Sequence, residues 1–147
     1  MPWNFIQLPA VAYRTCIMSV KPVDFLAVAA TMEKGTECEV RSSISRSYYA
    51  AFHACLAWHN ALKAPGSVSG TAGGKHQQLI NKLKNPAPEI SAALRGESKR
   101  LGMKLEILRG RRVTADYVLD ETISISESST QLIQATAVLD TVTIVSP

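Results

Sequence analysis

The chain has 147 residues, 46% apolar and 19% charged, which suits one domain with a sizeable core and leaves too little for two. Its net charge is +4, and no run approaches the 18 or so apolar residues of a membrane span. Cys16, Cys38 and Cys55 are an odd number without CxxC spacing, which argues against a disulfide scaffold and for reduced thiols.

The first 17 residues, MPWNFIQLPAVAYRTCI, have neither helical period nor caps, and Met18 offers an alternative start. They also lack the basic, apolar, small-residue order of a signal peptide, so the expected location is the cytoplasm. Residues 1–19 are expected to be an appendage to a bundle over 20–143, with 144–147 as a tail. Pro22 and Asp24 open a short helix, VDFLAVAATMEKG, with Phe25, Leu26, Val28, Ala29 and Met32 as its apolar set and Gly35 as its stop.

A long helix over 37–63 follows, and it has two chemically different faces. At 100° per residue, Ile44, Tyr48, Ala51, Phe52, Cys55 and Leu62 gather on one side as a core stripe. Ser42, Arg46, Tyr49, Ala50, His53, Ala57 and Asn60 gather on the other. Arg46 and His53 are about 20° out of register and roughly 10 Å apart along the axis. Small Ala50 and Ala57 let another backbone approach, so this polar pair is expected in a seam between helices or between subunits. Tyr48 and Tyr49, being adjacent, must face differently: one packs and the other is exposed or interfacial. Trp58 is a core anchor.

Residues 64–74, APGSVSGTAGG, form a small-residue loop expected to be mobile. Its GGK end is no phosphate loop, because that pattern needs Gly where Ser69 stands and Ser or Thr where His76 stands. A third helix, KHQQLINKL, is closed by Asn85, Pro86 and Pro88. Glu89 opens a fourth, EISAALRGESKRLGMKLEILRG, whose Ile90, Ala93, Leu94, Leu101, Leu105 and Leu108 keep the helical period. Gly96 and Gly102 each cost about 1 kcal/mol of helix propensity relative to Ala, and close helix contact is the expected reason for both. Gly110 is expected to end the helix, and RRVTADYVLDE to be a polar connection whose Val113, Tyr117 and Leu119 fold back on the bundle. The last helix starts at a capping box, Ser124 with Glu127, and turns Leu132, Ala135, Leu139 and Val142 inward.

Alternating strand pairs and internal repeats are missing from the pattern, so the expected fold is an all-α, antiparallel bundle of four to five helices in one domain. Its charge is uneven. Residues 75–112 hold ten Lys or Arg against three Glu, a local +7 within the net +4. Lys99, Arg100, Lys104, Arg109, Arg111 and Arg112 are the candidate phosphate- or RNA-binding set, with a solvated helix face as the alternative.

SISRSYYAAFHACLAW, then a glycine-rich loop with a lone His in GGKHQQLINKL, then LEILRGRRVTADYVLDE and a final amphipathic helix, resemble the HEPN family (higher eukaryotes and prokaryotes nucleotide-binding domain). The resemblance covers about residues 20–143. It implies an antiparallel helical bundle that forms homodimers and needs no cofactor. Many members are metal-independent ribonucleases acting as toxins or in phage defence, often beside a nucleotidyltransferase-type protein partner. The family's nuclease signature is an Arg and a His with four to six residues between them, a spacing that Arg46 and His53, with six between them, satisfy.

Such a site needs a neutral imidazole to take the proton of a ribose 2′-hydroxyl and a fixed guanidinium to hold the phosphate as its charge grows. Tyr49, between the two, would donate a hydrogen bond to that phosphate or order His53. The cut would leave a 2′,3′-cyclic phosphate. In active members, however, the Arg and His lie late in the bundle, in a segment ending His-x-Tyr that corresponds here to RGRRVTADY. Ala115 stands in the place of that His, followed by Asp116, whose carboxylate is no proton donor near neutral pH without a large shift.

An alternative reading makes the early pair structural, with Arg46 reaching Asp116 or Glu106 and His53 hydrogen-bonded in the core. Asp116 then serves as a salt-bridge partner or cap, and Tyr117 is a modification target by analogy to the tyrosine of active members. His53, Cys55 and His59 diverge too far around a helix to hold zinc, and His59 and His76 have no partner at metal-ligand spacing, so no metal site is expected. Three function classes stay open: a module binding RNA, a nucleotide or a partner protein; an endoribonuclease toxin using Arg46 and His53; and a dimeric interaction scaffold.

Overall fold

The computed structural model describes residues 19–68 and 73–147. The expected appendage, all but its last residue, lies outside the described residues, as do Cys16 and the middle of the glycine-rich loop. The described residues form an all-α bundle of five helices, α1 (Pro22–Met32), α2 (Glu37–Asn60), α3 (Lys75–Lys84), α4 (Ala92–Tyr117) and α5 (Ile125–Ile144).

Local chemistry explains where the helices begin. Pro22 sits in the first turn of α1, where its missing N–H costs nothing, and the Asp24 carboxylate accepts from the Lys21 N–H at 2.7 Å. α2 and α5 each start at a reciprocal capping box. Thr36 Oγ accepts from the Glu39 N–H while the Glu39 carboxylate accepts from the Thr36 N–H, and Ser124 with Glu127 repeats the arrangement. Ser91 Oγ accepts from the Leu94 N–H at 3.2 Å, so α4 opens at Ala92 rather than at Glu89.

Pairwise contacts fix the directions. Ser43 near the start of α2 donates to the Ala29 carbonyl near the end of α1, and Ser45 donates to Asp116 at the end of α4, so α2 is antiparallel to both. Ser98 early in α4 donates to the Leu83 carbonyl late in α3, making that pair antiparallel as well. Gln131 early in α5 donates to the Leu108 carbonyl late in α4, while Trp58 Nε1 at the end of α2 donates to the Val145 carbonyl just past α5. Helices α1 and α4 therefore run one way and α2, α3 and α5 the other. The central helix is α2, packed on α1, α4 and α5.

The core stripe of α2 is buried as the periodicity predicts: Ile44, Tyr48, Ala51 and Cys55 have at most 1% exposure. Burial pushes the Cys55 thiol up to about 12, so it stays protonated. Gly102 is a close contact, since a Cβ there would lie 3.1 Å from Leu83 Cβ and 2.8 Å from Lys84 Cγ. Gly96 is not, because the added atom would meet only the flexible Arg100 side chain of its own helix, at 3.6 Å.

Helix α4 corrects the sequence reading. It does not end at Gly110 but continues through RRVTADY to Tyr117. Arg41, reaching over from α2, donates to the carbonyls of Ala115 and Val118 at 2.9 and 3.0 Å and also to that of Glu121. These carbonyls have no partner further along the helix, and a cation is favoured at this negative end of the dipole. Tyr117 and Leu119 do not fold back: they are 68% and 76% exposed.

Candidate functional site

Tyr48, Tyr49, Phe52 and His53 form a continuous aromatic run across two faces of α2. Tyr48 is fully buried, Tyr49 half-buried and His53 exposed. His53 is therefore not hydrogen-bonded in the core. It stacks on Phe25 of α1, with ring centroids 5.5 Å apart and planes 29° apart, and lies 6.3 Å from the Tyr49 ring.

Tyr49 is the centre of the site. The Arg46 guanidinium lies 5.2 Å from its ring centroid and the Arg112 guanidinium 5.3 Å from it, and Arg112 also donates to the Tyr49 hydroxyl at 2.9 Å. Two cations thus share one aromatic ring. Arg46 further lies 6.0 Å from the Phe25 ring. It reaches neither Asp116 nor Glu106. Asp116 instead receives Arg112, one turn earlier on its own helix, with Nε 2.8 Å from Oδ2, and accepts from Ser45 Oγ at 3.2 Å. Glu106 pairs with Lys84 of α3. The i,i+4 spacing explains the exchange, because it puts Arg112 and Asp116 on one face of α4. Among the described residues no carboxylate lies within 4.0 Å of Arg46 or Arg109.

His76, which sequence spacing left without a partner, enters from the start of α3. Its Nδ1 is 2.8 Å from the Tyr48 hydroxyl, and its ring packs on Phe52 at 4.3 Å and on Tyr49 at 5.8 Å. Burial, followed by the positive charges of Arg112 and Arg109, lowers the His76 pKa below its usual value, so the ring is neutral near pH 7. Burial also raises the Tyr48 pKa, keeping the phenol protonated. The pair exists as O–H···Nδ1, which leaves Nε2 a donor, or as Nδ1–H···O, which leaves Nε2 an acceptor. The lone His after the glycine-rich loop was the one sequence signal for this residue.

The six basic residues of the candidate phosphate set do not form one patch. Arg109 and Arg112 face the site, where Arg109 donates to Gln77 of α3 at 3.1 Å. Arg111 faces α5 through Gln131 and Gln134, and Lys104 lines a small cleft with Gln134 and Ala137 of α5. Arg100 pairs with Glu97 on the surface, and Lys99 is exposed. Their spacing along α4 distributes them around its axis. Tyr117 borders the site from outside, with the Arg112 guanidinium 5.4 Å from its ring.

His59 belongs to the scaffold. It is buried, and its Nε2 accepts from the Gly66 N–H at 3.1 Å, pinning the chain as it leaves α2. His53 itself stands between two cavities of about 380 Å³ each. One is walled by Pro22, Phe25, Leu56 and Ala57; the other, also largely apolar through Phe52, Leu56 and Leu79, adds Lys75, Gln78 and Lys82. Among the described residues no group of three His, Cys, Asp or Glu side chains is placed to hold a metal ion, and no helix is long and apolar enough to cross a membrane.

The arrangement offers two guanidiniums, Arg46 and Arg109, without carboxylate partners among the described residues, a third paired with Asp116, a phenol, and two imidazoles at one edge of the bundle. That donor-rich, acceptor-poor edge suits a phosphate group. No protein-family model, curated protein or solved structure matches the chain.

Proposed function

We infer that this chain is a HEPN-like helical module that binds RNA through phosphate contacts at the α1–α2–α4 edge. The observation that carries the reading is the Tyr49 ring flanked by Arg46 and Arg112, with Arg46 free of any carboxylate partner among the described residues. A guanidinium held over an aromatic ring keeps its donors directed outward, and Arg suits bidentate phosphate recognition. Chemical-shift mapping with a short single-stranded RNA tests this: the amides and side chains of Arg46, Tyr49, His53 and Arg112 shift, while Arg100 and Arg111 do not. Shifts confined to α4 and α5 would move the site elsewhere.

A second reading is favoured by the two imidazoles that border Tyr49. In it the chain is a metal-independent endoribonuclease: His53 takes the 2′-hydroxyl proton, the oxygen attacks the adjacent phosphorus, and Arg46 and Arg112 hold the phosphoryl oxygens. The P–O5′ bond breaks, the leaving 5′-oxygen takes a proton from solvent, and a 2′,3′-cyclic phosphate remains. RNA incubated with wild-type protein in EDTA would then acquire cyclic ends, and His53→Ala would abolish them. Intact RNA in both leaves binding as the function. In either case the setting is proposed to be a toxin and antitoxin or phage-defence pair, with a homodimer and a nucleotidyltransferase-type partner as the resemblance implies.

A further inference from the structure

Both cavities beside His53 have largely apolar walls, but only the one on the α3 side carries lysines, and this difference in charge matches the two halves of a nucleotide. On the α1 side, Phe25, Leu56 and Ala57 enclose an apolar space of about 380 Å³, a volume within the ordinary range for small-ligand pockets. Its aromatic members, Phe25 and His53, are already stacked on one another, so no ordering of these rings is needed before a third planar group joins them. On the α3 side, the cavity of equal size is bordered by Lys75 and Lys82, and Arg46 stands over Phe25 at 6.0 Å. Cations therefore flank an aromatic, apolar pocket on two sides. Single-stranded nucleic acid is held in this manner, with bases on aromatic rings and the backbone along positive charge.

We propose that the Phe25–His53–Ala57 pocket receives one unpaired nucleobase of a single-stranded RNA whose backbone passes over His53 between Arg46 and the Lys75 and Lys82 side chains. This deepens the phosphate-binding reading and rests on it. The base is recognised by stacking and enclosure, so the site selects unpaired over duplex RNA. Asn60 at the rim supplies the one amide that can touch a base edge.

The test compares two fluorescent probes, a short oligo(A) RNA and an abasic ribose-phosphate chain of the same length, by anisotropy at low salt. Wild-type protein binds oligo(A) about tenfold more tightly than the abasic chain, in line with the stacking contribution of one base. Ala57→Leu, a change at an exposed position of α2 that fills the pocket, removes this preference and leaves abasic binding unchanged. Phe25→Leu, which keeps apolar volume but removes the ring, weakens the preference in the same direction. Equal affinity of wild type for both probes, or an undiminished preference in both variants, overturns the base pocket while the phosphate site stands. Absence of binding to either probe overturns both.

Discussion

The hydroxyl of Tyr48 and Nδ1 of His76, 28 positions apart in the chain, lie 2.8 Å from one another and join the first turn of α3 to the middle of α2. Burial and the nearby positive charges of Arg112 and Arg109 keep His76 neutral there. Its pKa is below the ordinary 6.5 in the folded state, first through burial. As pH falls through about 6.5, the unfolded chain takes up the proton before the folded chain does, so stability declines until the folded pKa is reached and levels off below it. His59, also lowered by burial, contributes with the same sign. Urea unfolding at about pH 7.5 and about pH 5.5 will show lower stability at the acid value, and His76→Asn will reduce that difference.

Arg112 and Arg111 are neighbours with unequal consequences. Arg112→Ala leaves half-buried Asp116 without its cation and Tyr49 without its donor, and is expected to cost about 2–4 kcal/mol. Arg111→Ala removes a contact to exposed Gln134 and a long one, 3.5 Å, to buried Gln131, whose amide keeps its bond to the Leu108 carbonyl, and is expected to cost about 1 kcal/mol or less. Tyr49→Phe, which removes the hydroxyl alone, falls near 1 kcal/mol. Equilibrium denaturation of the three variants checks the order.

Three glycines of α4 separate propensity from packing. Gly110→Ala meets open space and is expected to raise stability by about 0.5–1 kcal/mol, and Gly96→Ala by a similar amount. Gly102→Ala drives a methyl into Leu83 and Lys84 of α3 and is expected to lower it by about 1–3 kcal/mol in spite of the better helix former. Thermal melts of the three variants read the sign directly.

Arg41 holds the end of α4. Arg41→Ala leaves the carbonyls of Ala115 and Val118 without this donor and is expected to cost about 1–3 kcal/mol. Hydrogen exchange would localise the effect: amides of the last turn of α4 lose protection, while those of α3 keep theirs.

What could be read from the sequence was whatever local chemistry decides. The Ser124–Glu127 box marks the start of α5, and the 3.6-residue period places Ile44, Tyr48, Ala51 and Cys55 in the core. The shared face of Arg46, Tyr49 and His53 follows from the same period, and the structure leaves Arg46 and Tyr49 half-buried and His53 exposed. The end of α4 was not legible, because the donor that stabilises it, Arg41, lies 74 positions from Ala115 and belongs to another helix. The place of His76 depends on α3 packing beside α2, which no spacing within KHQQLINKL encodes. The pairing of Asp116 with Arg112 rather than Arg46 is likewise a competition between two cations that only the packed bundle decides. Even coverage of α4 by charge looked like one basic patch along the chain and is dispersed around the helix axis.

Salt dependence of RNA binding tests the central claim most directly. A single-stranded RNA held by Arg46, Arg112 and one or more further cations loses affinity with a slope in log K against log salt of about −2, and Arg46→Ala makes that slope shallower by about 0.7 while Arg100→Ala leaves it unchanged. Undetectable RNA affinity at low salt, or an Arg46→Ala slope identical to that of wild type, would contradict the phosphate site at Tyr49.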